Sequence, residues 1–103
     1  MGEKIYHFVY LSNTESATKQ LWVTSSDNDE IVNFVDGDGT PRVVNSLTIY
    51  SKDSDLYVAL PANGDFCTFI PSGTSKSFDF LRLESFQILG NAPISYRWEA
   101  LSY

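Results

Sequence analysis

Short runs of alternating apolar and polar residues recur along the chain, separated by clusters of Gly, Pro, Asn, Asp and Ser. A period of two sends successive side chains to opposite faces of a strand, and no segment sustains the 3.6-residue period of a helix. The turns recur roughly every 8 to 12 residues, the spacing of an antiparallel sandwich, jelly roll or small barrel. With 103 residues the chain fits one domain spanning 1–103, enough for a single core. The expected fold is therefore all-β: one antiparallel β-sandwich or jelly-roll-like domain of about eight short strands.

The first strand candidate, "KIYHFVYL" (4–11), places Ile5, His7, Val9 and Leu11 on one face and Tyr6, Phe8 and Tyr10 on the other. Apolar residues on both faces predict a strand covered on both sides. A second strand is expected around "KQLWVT". "IVNFV" and "RVVN" flank "DGDGTP", which reads as a hairpin connection because Gly tolerates positive φ and Pro41 closes the turn. "SLTIYS" and "LYVAL", joined by "KDSD", predict a second hairpin. Pairing them sets Ile49 opposite Val58 and Leu47 opposite Leu60 on one face, with Tyr50 opposite Tyr57 on the other. Asn63-Gly64 and Pro71-Ser72-Gly73 predict turns. In "ISYRWEAL", Ile94, Tyr96 and Trp98 should face inward and Ser95, Arg97 and Glu99 outward.

Composition narrows the function classes. Seven Phe, six Tyr and two Trp suit pleated, packed strands and argue against disorder. A net charge of −6 without any run of Lys or Arg argues against a nucleic-acid partner, since phosphate binding needs a basic surface. No apolar run reaches the length of a membrane span, and "MGEKIYHFVYL" lacks the apolar core of a leader. The opening "MG" does not make a myristoylation motif, because Tyr6 stands where Ser or Thr is required. Cys67 is the single cysteine, so no intramolecular disulfide forms, which fits assembly in a reducing compartment.

The residues that carry chemistry are sparse. His7 is the only histidine, so a nucleophile–histidine site would have to use it, and nothing around Cys67 resembles a nucleophile motif. Phe66 and Phe69 beside Cys67 predict a thiol packed in a strand. No catalytic residue and no cofactor is expected. "DGDGT" invites a calcium reading, but counting from Asp36 the helix-loop-helix pattern puts Pro41 where Gly is needed and Leu47 where the closing Glu is needed. A looser site would combine Asp36 and Asp38 with Asp27 or Asp29; a solvated hairpin turn is the favoured reading, and no metal is expected. Trp22, Tyr50, Tyr57 and Trp98 could stack sugars, although aromatics in a small β domain more often form core or protein interface.

The segment 46–99 resembles small β-sandwich structural proteins of tailed bacteriophages. The resemblance rests on "SLTIYSKDSDLYVAL", the "IPSGTSKSFDF" element, "FQILG" and the final aromatic strand "ISYRWEA". It is carried by Leu47, Ile49, Leu56, Val58, Ile70, Pro71, Gly73, Phe78, Phe80, Phe86, Ile88, Tyr96 and Trp98. It implies a non-enzymatic virion subunit, of capsid decoration or head–tail accessory type, assembled in the host cytoplasm. Its partners would be other virion proteins of capsid or tail, with homo-oligomerisation and neither nucleic acid nor membrane bound. The interface is expected among Tyr6, Phe8, Tyr10, Trp22, Tyr50 and Tyr57, aromatics not needed on the inferred core face. The alternative is a tail- or baseplate-associated module that recognises host glycan through the same aromatics.

Overall fold

A computed structural model of the chain describes residues 9–12, 22–36 and 38–102. Among the described residues there are nine strands and no helix: β1 (Val9–Ser12), β2 (Val23–Thr24), β3 (Glu30–Asn33), β4 (Val44–Ser51), β5 (Leu56–Ala59), β6 (Cys67–Ile70), β7 (Ser75–Leu83), β8 (Ser85–Leu89) and β9 (Ser95–Ser102). All pairings are antiparallel. Sheet I runs β1-β9-β4-β7, with β2 also pairing β9, and sheet II runs β3-β8-β5-β6. β1 and β2 share one side of β9, so the strand order is that of a jelly roll. Most connections cross from one sheet to the other; β5–β6 joins neighbours within a sheet.

The alternation expected from the sequence fixes which side chains point inward. From sheet I come Val44, Leu47, Ile49, Tyr96, Trp98 and Ala100; from sheet II come Leu56, Val58, Ile70, Phe86 and Ile88, all buried. Each full burial of such a side chain contributes about 1.5–3 kcal/mol, before the entropy of ordering the chain is subtracted. The rings of Phe34, Phe86 and Trp98 meet at centroid distances of 5.2 to 5.9 Å and knit the two layers together. Trp98 is therefore core, and the inside-outside reading of the last strand holds.

The hairpin expected between "SLTIYS" and "LYVAL" does not form. β4 and β5 lie in opposite sheets: Ile49 pairs with Trp98 and Lys76, while Val58 pairs with Thr68 and Ile88. Residues 52–55 carry the chain across the sandwich instead. The face assignment was right, because Leu47, Ile49, Leu56, Val58 and Leu60 are all buried, but they approach the core from two sides. Alternation specifies a face and leaves the hydrogen-bonding partner open. The arch is pinned by Ser51, which exchanges main-chain and hydroxyl hydrogen bonds with Pro71 and Thr74, and by Asp55 Oδ1, which accepts the Ser72 N–H at 2.9 Å.

The turns at Asn63-Gly64 and Pro71-Ser72-Gly73 match expectation. Asn63 adopts φ +61° and the Gly64 N–H reaches Pro61 O at 2.8 Å; Gly73 at φ +75° closes the turn from Pro71 to Thr74. At "DGDGTP" the chain does turn back on itself, with a single antiparallel bridge between Val35 and Pro41 and the Asp36 N–H on Thr40 O. The flanking strands, however, do not pair as the expected hairpin: β3 joins sheet II and β4 sheet I.

Candidate interaction surface

Sheet II presents one face to the core and one to solvent. Its outer face carries two rows set by strand register. Leu89, Tyr57 and Phe69 form one row across β8, β5 and β6; Ile31, Gln87, Ala59 and Cys67 form the next across all four strands. Tyr57 and Phe69 are a directly opposed pair with ring centroids 5.2 Å apart, yet they are 55% and 43% exposed. Ile31 is also exposed, as is Phe66 on the lead-in to β6. Gln87 is fixed flat beneath the surface: its Oε1 accepts the Asn63 N–H and its Nε2 donates to Asp29 O. The Gln87 amide is thus held at both ends, one row along from the aromatic pair.

Sheet I offers a different outer surface. The Arg97 guanidinium lies 4.1 Å from the Tyr50 ring centroid and 5.1 Å from that of Trp22. The Tyr50 hydroxyl donates to Glu99 Oε1 at 2.7 Å. That hydrogen bond, with partial burial and the Glu99 charge, raises the Tyr50 pKa above its ordinary value, against the opposing effect of Arg97. A shallow groove of about 290 Å³ opens beside these residues, lined also by Lys52, Thr74 and Ser75. Hydroxyls dominate the rest of the face: Thr48 and Ser77 hydrogen-bond across the strands at 2.9 Å.

The structure does not bring the expected aromatics into one patch. Trp22 and Tyr50 lie on the outside of sheet I and Tyr57 on the outside of sheet II, on opposite faces of the sandwich. Tyr10 belongs to β1, opposite Leu101, and its side chain lies outside the described residues, as do Tyr6, Phe8 and His7. The four-residue sugar platform is not assembled: Trp98 is core, Tyr57 is on the far side, and Arg97 already occupies a ring face of Tyr50 and of Trp22. Cys67 is exposed on the outer face of β6, which corrects the expectation of a packed thiol. Parity is the reason, since Thr68 and Ile70 take the inward positions of that strand. Phe69, Leu89 and Ile31 were missed as companions of Tyr57; the parity of "FCTFI" against "LYVAL" carried the signal for Phe69.

The loop at Asp36 is closed by the chain itself. Asp36 Oδ1 accepts the N–H groups of Asp38 and Thr40, and Oδ2 takes both Nε and Nη2 of Arg42 at 3.0 and 2.8 Å. Partial desolvation works against ionisation, but the Arg42 hydrogen bond and charge and the two N–H donors outweigh it and hold the Asp36 carboxyl below its ordinary pKa. Among the described residues no three His, Cys, Asp or Glu side chains converge as metal ligands. A groove of about 400 Å³ is lined by Pro41, Arg42, Val43, Val44, Asn45, Arg82 and Ser102, with no carboxylate, thiol or imidazole. The Ser102 hydroxyl there donates to Val43 O at 2.6 Å.

No protein-family model matches the chain, and neither curated proteins nor solved structures give a significant match. The functional reading therefore rests on the surface itself.

Proposed function

We propose that the chain is a non-enzymatic structural subunit of a tailed-phage virion, a capsid decoration or head–tail accessory protein, that works by protein–protein contact through the outer face of sheet II. The observation that carries the reading is the Tyr57–Phe69 pair: two rings in mutual contact, on a rigid sheet, each about half exposed. Exposed aromatics on a fixed scaffold are the material of interface hot spots, because they bury large area at small entropic cost. The jelly roll is compatible with the reading, and because folds of this class also serve lectins, the support comes from the surface and not from the fold. The covering of Trp22 and Tyr50 by Arg97 weighs against glycan recognition on sheet I.

The mechanism is mass action. A subunit that binds only the assembled lattice stabilises it against disassembly, and symmetric repetition turns modest contacts into avidity. The test is incorporation into particles during infection or expression. The wild-type chain is expected in purified virions, and the variant Tyr57→Asp/Phe69→Asp, which melts like wild type, is expected to be absent from them. Equal incorporation of the two, or absence of the wild-type chain from particles, would overturn the proposal.

A further inference from the structure

Charge is divided between the two sheets. The segments that build sheet II and its turns, residues 26–35, 53–75 and 84–95, contain seven carboxylates and no Lys, Arg or His. All seven Lys and Arg of the chain lie elsewhere, and the five among the described residues (Arg42, Lys52, Lys76, Arg82 and Arg97) flank or belong to strands of sheet I.

Two of the carboxylates stand at the end of sheet II that carries the exposed row. Asp29 Oδ1 accepts the N–H of Gly90, the residue after Leu89, at 2.8 Å. Asp55 immediately precedes β5, and its Oδ1 accepts the Ser72 N–H just beyond β6. Register places Leu89 beside Tyr57 and Tyr57 beside Phe69, so both acids border the same edge of one apolar row. Both side chains are exposed, and each accepts a neutral main-chain N–H, so no cation of the chain is hydrogen-bonded to either in these contacts.

We infer that the occupant of this face is a partner protein presenting an apolar centre rimmed by Lys or Arg, and not a second copy of the same face. The centre would meet Leu89, Tyr57 and Phe69, and the basic rim would meet Asp29 and Asp55. Two copies placed face to face would bring acid against acid, while an oppositely charged rim steers approach and fixes register. This rests on the proposal that the sheet II face is the working surface, and adds the chemistry of what it receives.

The experiment uses two short synthetic probes, acetyl-Lys-Leu-Trp-Leu-Lys-amide and its counterpart with Glu at both ends, titrated into the ¹⁵N-labelled chain. Sedimentation of the chain alone runs beside it. The Lys peptide is expected to shift the amides of Tyr57, Phe69 and Leu89, and the Glu peptide to bind several-fold more weakly. The chain itself should sediment as a monomer with that face free. Asp29→Asn with Asp55→Asn keeps an acceptor oxygen at each site, and Asn tolerates the φ of +51° at position 29. The double variant should lower affinity for the Lys peptide by about fivefold at low salt, the size expected for two rim charges. Equal binding of both peptides at this face would overturn the charge inference while leaving the working surface in place. A dimer dispersed by Tyr57→Asp would do the same. Shifts confined to the Trp22 and Arg97 groove, or none at all, would remove both readings.

Discussion

The Tyr96 hydroxyl on β9 donates to Glu30 Oε2 on β3 at 2.8 Å, a hydrogen bond that crosses the sandwich from sheet I to sheet II. Glu30 Oε1 accepts both the N–H and the hydroxyl of Ser26, so the carboxylate is held from two sides. At the opposite side of the core, Lys76 on β7 donates to Thr68 Oγ1 on β6 at 2.8 Å. The apolar interior is therefore flanked by two polar ties between the sheets.

Removing the first tie should cost stability. Tyr96→Phe is expected to lower the unfolding free energy by about 1–2 kcal/mol, the usual range for losing a partner of a partly buried charged group. Urea unfolding of the single and double variants with Glu30→Gln would show coupling between the positions; strictly additive losses would mean that the pair does not act together.

The same pair predicts a stability optimum bounded by pH. Partial burial raises the Glu30 pKa, but the hydrogen bonds from Ser26, Tyr96 and the Asp27 N–H outweigh it, and the native value lies below the ordinary 4.5. A depressed native pKa means that the stabilisation is present above 4.5 and is lost as pH falls through the native value. Tyr96 behaves in the opposite sense. Burial first, then the hydrogen bond and charge of Glu30, raises its pKa above the ordinary 10.0, so its contribution is lost as pH rises beyond 10. Melting temperatures measured across pH should decline at both ends, and Glu30→Gln should flatten the acid limb.

Lys76 pairs in register with Ile49, which places it on the inward side of an edge strand. An inward charge on an edge is a device against strand-to-strand association. Lys76→Met is expected to lower stability by about 0.5–1.5 kcal/mol through loss of the hydrogen bond to Thr68, and to produce concentration-dependent oligomers of the folded chain in sedimentation. A variant that stays monodisperse would show that the edge is protected by something else.

Gly64 is required by space. A Cβ built there would stand 2.7 Å from Pro61 O, a main-chain atom that cannot swing away. Gly64→Ala should cost about 1–3 kcal/mol, as overpacking does, and should disturb the Asn63 N–H bond that fixes Gln87 under the outer face. Chemical denaturation and the amide shift of Asn63 read the two effects.

The fold class was legible because alternation and turn chemistry are local. Leu47, Ile49, Val58, Tyr96 and Trp98 all point where their parity directs. The partner of each strand was not legible, since Ile49 meets Trp98 across 49 positions of sequence and Val58 was the nearer choice. The surface was half legible. Tyr57 follows from its parity, but its pairing with Phe69 depended on β6 being the neighbour of β5, and the separation of Tyr50 from Tyr57 depended on the arch at 52–55. Arg97 lying over Trp22 and Tyr50 is a tertiary meeting of β2, β4 and β9 that no local pattern encodes.

The most direct test of the central claim is site-specific photo-crosslinking in the producing host, with p-benzoylphenylalanine placed at Tyr57, at Phe69 and, as a control on the outer face of sheet I, at Thr48. Crosslinks from 57 and 69 to one and the same particle protein, with none from 48, are the predicted result. Crosslinks from 48 with none from 57 or 69 would contradict the assignment of sheet II as the working face.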